Sequence, residues 1–337
     1  MTQAQSQKTR LARLIGTGSY LPEQILSNHD LEQMVETSDE WITSRTGMKE
    51  RRLARADEFT SDMGVKAAQK ALEAAGKTAQ EIDLILVATL TPDFIFPSTA
   101  ALIQHALGAP QAAAFDFQAA CTGYLYGLSM AKGYIESGLY RNVLLIASEK
   151  LSSIVNYKDR NTCVLFGDGA AACVVSDAGE GFAIQEVCLG ADGEVAELLI
   201  LPAGGCRRPA SVETVQNNEH YIAMDGKEVF KHAVRRMESA AKECLLKSGL
   251  AEDAIGWLIP HQANERIIDA IAKRFGINEE KVYKTVQKYG NTSASAVAIA
   301  LDELIREKQM PIGENILLVA FGAGFTWGAA ILSKREA

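Results

Sequence analysis

Residues 142–147, NVLLIA, return as NILLVA at 315–320, 173 positions further along the chain. A second pair of segments keeps the same offset: Ala67-Ala68…Leu72…Gly76…Ile82 recurs as Ala240-Ala241…Leu245…Gly249…Ile255. Each copy of the second pair reads as an amphipathic helix closed by glycine, a short polar link and an apolar run, LILVA at 84–88 or WLIP at 257–260. Two matches at one offset point to a duplicated unit; convergence of two similar βαβ units is the alternative.

Around these anchors, strand-like runs at Leu84–Leu90, Ala113–Phe117, Val143–Ala147 and Cys173–Ser176 alternate with helical segments over 62–75, 98–107 and 123–137. Such alternation predicts an α/β fold with buried sheets. The division expected is a half over 1–177 and a half over 178–337, related by a pseudo-two-fold axis, with the functional site at the seam. The uncharged run Ile316–Leu332 is interrupted by Gly322, Gly324 and Gly328, so it reads as two buried strands and a tight turn, not a membrane span. MTQAQSQKTR at the start lacks an apolar stretch of the signal-peptide kind, and a cytoplasmic location is expected.

The 337 residues carry 34 basic and 42 acidic side chains, a net charge of −8 that disfavours whole-protein attraction to nucleic acid or anionic lipid. A local basic patch for an acidic protein partner is compatible with that total. The six cysteines (121, 163, 173, 188, 206 and 244) form no CxxC pair or regular framework, and reduced thiols are expected. Neither a Walker A loop, a dinucleotide fingerprint nor a metal-spaced His/Cys cluster occurs, so no metal and no cofactor beyond a substrate is expected.

Cys121 is the best placed thiol. It follows AAAFDFQAA (112–120) and precedes a segment whose Leu125, Leu128, Ala131 and Ile135 share a helical face. At such a strand-to-helix turn the helix N-terminus favours thiolate, and nearby backbone amides suit an oxyanion. The competing reading is a buried structural cysteine. Cys163, Cys173 and Cys188 lie in apolar, strand-like stretches, Cys206 in a loop and Cys244 on a helix face. His261 stands where the run WLIP ends and a helix follows, the place of sites in α/β sheets, although a lone histidine is more often structural. Asn291, in KYGNTSASAVAIAL (288–301), reads equally as a turn with an N-cap. The small residues of FGAGFTWG (321–328) permit close backbone approach to a ligand, or a tight hairpin.

As a set, six motifs in order resemble the β-ketoacyl-acyl-carrier-protein synthase III family: DEWITSRTGMKERR (39–52), ACTG (120–123), FGDGAAA (166–172), PHQAN (260–264), GNTSAS (290–295) and FGAGFTWG (321–328). The resemblance spans about residues 11 to 333. It implies a homodimer of the thiolase fold, with duplicated halves in α-β-α-β-α layers. It also implies an acyltransferase that joins acyl-CoA, typically acetyl-CoA, to malonyl-acyl carrier protein.

By the same resemblance Cys121 is the acyl-accepting nucleophile, and His261 and Asn291 hydrogen-bond the extender thioester. The backbone amides of Cys121 and Ala323 form the oxyanion hole; the family often has glycine at the latter position. Trp41, Arg45 and Arg160 match positions that clasp the coenzyme A adenine and phosphates, and Thr37, Phe230, Ala263 and Asn264 match the pantetheine tunnel. Asn161 stands where the family often has glycine. Phe96 matches a residue that crosses the dimer interface to bound the acyl pocket. Lys231, Arg266, Lys273 and Arg274 match the face that docks acyl carrier protein; without the resemblance they read as a solvated helix face.

Sibling families fit less well. Degradative thiolases need a second cysteine near the C-terminus, and none follows Cys244. Elongating synthases carry histidine where this chain has Asn291, and plant-type polyketide synthases are longer. An acyltransferase of secondary metabolism with the same triad, and a non-catalytic dimer that only binds carrier protein, stay open as alternatives.

Overall fold

The computed structural model describes residues 10–336. The leader reading therefore falls, apart from Arg10, outside the described residues.

Within them, nine strands share one hydrogen-bonded sheet: β1 (Arg13–Tyr20), β2 (Leu84–Ala88), β3 (Ala113–Phe117), β4 (Asn142–Glu149), β5 (Gly169–Ser176), β6 (Gly181–Ala191), β7 (Trp257–Pro260), β8 (Asn315–Gly322) and β9 (Thr326–Arg335). Their order is β7-β8-β9-β6-β1-β5-β4-β2-β3. The sheet is two sheets joined at a narrow seam, because β1 meets β6 only through Arg13↔Ala183 and Leu14↔Phe182.

The pairing on one side of the seam repeats on the other. β2 and β4 are parallel, then β5 and β1 follow antiparallel; β7 and β8 are parallel, then β9 and β6 follow antiparallel. The symmetry fails at one edge. β3 adds a parallel strand outside β2, whereas its counterpart beside β7 is reduced to a single bridge, Leu258↔Val282.

The helices that matter here are α1 (Asp39–Thr46), α2 (Thr60–Ala75), α3 (Thr99–Leu107), α4 (Gly123–Glu136), α5 (Gly226–Ser248), α6 (Glu265–Arg274) and α7 (Ser295–Glu307). α2 and α3 cover the outer face of the first sheet, and α5 and α6 that of the second. α4 and α7 lie between the sheets in a core cluster of their own, which completes the expected α-β-α-β-α layering.

This middle layer explains two sequence features. β5 and β8 are buried at every residue because both their faces are covered, so they read as continuous apolar runs. In α7 the ten residues from Ser295 to Leu304 are all buried, as a helix enclosed on every side requires. Each enclosed Leu or Ile contributes roughly 2 kcal/mol of apolar burial. The carboxylate enclosed with them, Asp302, is satisfied by the hydroxyls of Thr17 (2.8 Å) and Ser19 (2.6 Å) from β1.

The segment Ile316–Leu332 folds as the antiparallel pair β8 and β9, closed between Gly322 and Thr326. Among the described residues no helix is long and apolar enough to cross a membrane.

Candidate active site

Three loops leave the C-terminal ends of the strands and meet below the middle layer. The first carries Cys121, in a single helical turn (Ala120–Thr122) between β3 and α4. Ala120 adopts φ +47°, a left-handed conformation that costs a non-glycine residue about 1 kcal/mol and turns the chain abruptly ahead of the nucleophile. Gly123 lets α4 start hard against its neighbours, since a Cβ there would lie 2.9 Å from Ala88 Cβ and 3.1 Å from Ala294 Cβ.

The end of β8 passes equally close. A Cβ on Gly322 would lie 2.6 Å from the Cys121 nitrogen, so only glycine brings the following residue, Ala323, beside the cysteine turn. Ala323 itself does not take a positive φ, and alanine fits where the family often has glycine. The two turns are tied by Thr122 Oγ1 donating to Thr326 Oγ1 (2.7 Å) and Thr326 Oγ1 donating to Ala323 O (3.1 Å).

His261 follows β7 directly, its N–H donating to Val319 O at 2.8 Å, and its ring is buried. Burial alone lowers the imidazole to about 4, so at neutral pH it is uncharged with one donor and one acceptor nitrogen. The polar neighbours have structural duties. Gln262 donates to Pro260 O (2.6 Å) and accepts from Thr285 N–H (2.7 Å) and Val286 N–H (3.1 Å), while Asn264 caps α6 by accepting from Arg266 N–H at 2.9 Å.

Asn291 is held by its backbone N–H donating to Leu165 O at 2.8 Å. Its Oδ1 accepts from Ser293 N–H at 2.8 Å, which fixes the amide orientation and leaves Nδ2 as a free donor. The strip that holds it rests on Arg51, a wholly buried guanidinium that donates to Val164 O at 2.9 Å and to Asn28 Oδ1 at 2.5 Å. Burial lowers that arginine to about 10.

Cys121, His261 and Asn291 all line one cavity of about 1170 Å³. The thiol departs from the expectation of a thiolate. Burial pushes it up to about 12, outweighing the downward pull of the Ser293 hydroxyl, its own backbone N–H and the Asn291 amide. A protonated thiol at neutral pH must therefore lose its proton as it reacts.

At the cavity mouth Trp41 and Arg45 project from α1, and two guanidinium groups lie near the Trp41 ring, Arg45 at 5.5 Å and Arg160 at 5.0 Å from its centre. Arg160 also donates to Glu36 O at 3.0 Å, next to Thr37, whose buried hydroxyl has no partner. Asn161, Phe230, Ala263 and Asn264 line the same opening. Lys231 and Arg266 stand on its rim; Lys231 is paired with Glu228 at 2.6 Å, and Arg274 with Glu238. Arg266 and Lys273 are exposed and, among the described residues, carry no ion pair.

A second cavity of about 440 Å³ opens behind Cys121, walled by Leu90, Leu151, Ile154, Phe166 and Ile222 and reached by Ala323. Phe96 lines neither cavity. It is 84% exposed beside Ile95 (89%) and Phe94 (58%), in the loop between β2 and α3.

Sequence reasoning missed two groups around the thiol and misplaced one cysteine. Cys163 proves to end a four-residue helix (Arg160–Cys163), not to lie in a strand, because the polar Asp159 caps that turn by accepting from Asn161 N–H at 3.0 Å. Ser293, at φ +53°, and Glu149, the last residue of β4, both face the thiol region. The one sequence signal for Glu149 is a charge closing the apolar run NVLLIAS.

Residues 115–193 match the family model described as 3-oxoacyl-[acyl-carrier-protein (ACP)] synthase III, and residues 245–334 its C-terminal model. A beta-ketoacyl-[acyl-carrier-protein] synthase III of Chlamydia caviae is 64% identical over 330 residues, 98% of either chain. The crystal structure of the Aquifex aeolicus 3-oxoacyl-[acyl-carrier-protein] synthase III superposes with a TM-score of 0.88 at 48% identity, covering 96% of this chain and 99% of that one. A priming β-ketosynthase of a polyketide biosynthetic pathway superposes with a TM-score of 0.89 at 37% identity over 100% of both chains. The chain thus belongs to the β-ketoacyl-[acyl-carrier-protein] synthase III family, the thiolase-fold acyltransferases that carry out the initiating condensation of fatty acid synthesis.

Proposed function

We propose that the cavity performs a decarboxylative Claisen condensation of an acyl-CoA, acetyl-CoA first among them, with malonyl-acyl carrier protein. The observation that carries this reading is the convergence of a buried thiol, a neutral imidazole and a fixed amide donor on one cavity whose mouth holds Trp41 and Arg45, with Arg160 close to the same ring.

In this reading coenzyme A lays its adenine against Trp41 and its phosphates near Arg45 and Arg160. Its pantetheine passes Thr37, Phe230, Ala263 and Asn264. Cys121 takes the acyl group as a thioester, with the backbone amides of Cys121 and Ala323 receiving the carbonyl oxygen. Malonyl-carrier protein then enters with its carrier against Lys231, Arg266, Lys273 and Arg274. As CO₂ leaves, negative charge gathers on the malonyl thioester oxygen. His261 and the Asn291 Nδ2 donate to it more strongly in the transition state than in the ground state. The neutral state of His261 suits this duty, because its N–H donates without adding a buried charge.

Acyl transfer and condensation thus share one cavity, which is the sense in which the enzyme is multifunctional. No cofactor beyond the thioester substrates enters this scheme. The halves 1–177 and 178–337 contribute the cysteine and the His/Asn pair respectively, and the repeated strand order supports that division. The working unit is a cytoplasmic homodimer in which Phe96 reaches the partner's acyl pocket; the exposed Phe94–Phe96 loop supports it. The test is incubation with acetyl-CoA and malonyl-acyl carrier protein. Formation of 3-ketoacyl-carrier protein with equimolar CO₂ and coenzyme A is expected. Acylation of Cys121 without CO₂ release would favour an acyltransferase with another acceptor.

A further inference from the structure

Near Cys121 lies a buried carboxyl that the scheme above leaves unused. Glu149 ends β4 with no solvent exposure. One of its oxygens, Oε2, is saturated: it accepts from Leu90 N–H (2.9 Å), Thr91 Oγ1 (2.9 Å) and Thr89 Oγ1 (3.3 Å), all on the loop after β2. That clamp fixes the direction of the other oxygen, Oε1, which is buried with no hydrogen-bond partner.

A second orphan stands beside it. Ser293 is 1% exposed, its Oγ likewise without a partner, and its backbone is held at φ +53° by the N–H bond to Asn291 Oδ1. Ser293 and Cys121 line the same cavity behind the nucleophile, and the Ser293 hydroxyl draws down the pKa of both the Cys121 thiol and the Glu149 carboxyl. Neither contact is closed in the resting enzyme. Two buried, unpartnered polar atoms near a thiol are costly unless they are used.

We propose that Ser293 relays the Cys121 thiol proton to Oε1 of Glu149 as the acyl-cysteine forms. The inference rests on the reading of Cys121 as the acyl acceptor. Sγ bonds to the acyl carbon while its proton passes to Ser293 Oγ, and the proton of Ser293 passes to Glu149. The acyl–sulfur bond to coenzyme A breaks. Coenzyme A leaves with the electron pair and takes its proton from solvent. When the condensation expels Cys121 as thiolate, a proton returns along the same hydroxyl. Glu149 acts through Ser293 and is a positioning residue for the proton, not a group that touches substrate.

The acid–base balance agrees with this geometry. Burial raises Glu149 to about 7, against the downward pull of Leu90 N–H and the hydroxyls of Thr91, Ser293 and Thr89, so a large fraction is ionised at neutral pH and able to accept. Its charge in turn pushes the Cys121 thiol up, which is the mutual repulsion expected of two sites that share one negative charge. The neighbouring ammonium of Lys150 does not neutralise it, being turned away to Arg55 O (2.7 Å) and Glu58 O (2.6 Å).

The experiment measures single-turnover acylation of Cys121 by acetyl-CoA, and separately its alkylation by iodoacetamide, between pH 5 and 9. The proteins are wild type, Glu149→Gln, Ser293→Gly and the double variant. Glycine is chosen because it accepts φ +53° without strain while removing the hydroxyl. The wild-type acylation rate is expected to rise through pH about 7. Each single variant should lose that rise and acylate about 10²-fold more slowly at pH 8, the lower range for a positioned base. The double variant should be no slower than the slower single variant, whereas two independent structural roles would multiply. Wild-type rates and pH profiles in both single variants would overturn the relay, and Ser293→Gly alone decides if Glu149→Gln does not fold. Should wild type accept no acyl group at Cys121, the functional reading fails instead. The iodoacetamide profiles then judge the relay on their own: loss of the pH 7 inflection in the variants supports it, and unchanged profiles overturn it.

Discussion

Replacing Glu149 by Gln should stabilise the protein in alkali and leave it almost unchanged in acid. The amide keeps the shape of the carboxyl, and its oxygen still accepts from Leu90 N–H, Thr91 and Thr89 at the place of Oε2. The charge is what differs. Burial raises the Glu149 carboxyl from 4.5 to about 7, so folding favours its protonated form. The stability tied to that group is fully present below pH 4.5, and it is lost as pH rises through about 7. A shift of this size corresponds to about 3 kcal/mol at pH 8 and about 1 kcal/mol at pH 5, at 1.36 kcal/mol per pH unit. The assay is urea unfolding of both proteins at pH 5 and pH 8, at one protein concentration so that subunit association affects both equally. Glu149→Gln should gain about 2 kcal/mol more over wild type at pH 8 than at pH 5. An equal difference at both pH values, or a variant less stable than wild type at pH 8, would show that Glu149 is ionised without penalty and refute the reasoning.

Further consequences can be checked alongside. His261→Ala and Asn291→Ala should still accept acetyl on Cys121 but release CO₂ from malonyl-carrier protein about 10²- to 10³-fold more slowly, each donor being worth roughly 3 kcal/mol; failure to acylate with normal decarboxylation would reverse the roles. Arg266→Glu and Lys273→Glu, which alter charges free of ion pairs, should weaken use of malonyl-carrier protein more than Lys231→Glu, whose ammonium already meets Glu228. Moderate salt should do likewise in wild type while sparing acyl-CoA, and equal losses on both substrates would return the patch to an ordinary solvated face. Light scattering should show a dimer, and a fully active monomer in dilute solution would exclude the part given to Phe96.

Most of the fold was legible because burial leaves a one-dimensional trace. Apolar runs at 84–88, 113–117 and 142–147 became strands, and the glycine-closed helix before LILVA became α2 within two residues of its expected start. The 173-residue offset foretold equivalent strand pairings on either side of the seam. What stayed hidden depends on contacts between residues far apart in sequence. The β1–β6 pairing that merges the sheets is two residues long, and the missing counterpart of β3 is visible only as the Leu258↔Val282 bridge.

The site divides in the same way. Cys121 and His261 sit at strand-to-helix junctions that sequence can locate, and Asn291 in the turn that precedes α7. The state of the thiol was misjudged, because a helix N-terminus is local whereas desolvation depends on everything packed around it. Glu149 and Ser293 lie 144 positions apart (149 to 293), and neither belongs to a pattern that announces proton transfer. Arg51 appears within a recognised motif, yet its task of bracing Val164 and hence Asn291 emerges only from the fold.

The central claim is that Cys121 carries the acyl group. Intact-mass and peptide mass spectrometry after incubation with acetyl-CoA should find one acetyl group per chain, on the peptide holding Cys121, and none in Cys121→Ala. Stoichiometric acetyl on Cys163 or Cys206 instead, or label that survives in Cys121→Ala, would contradict it.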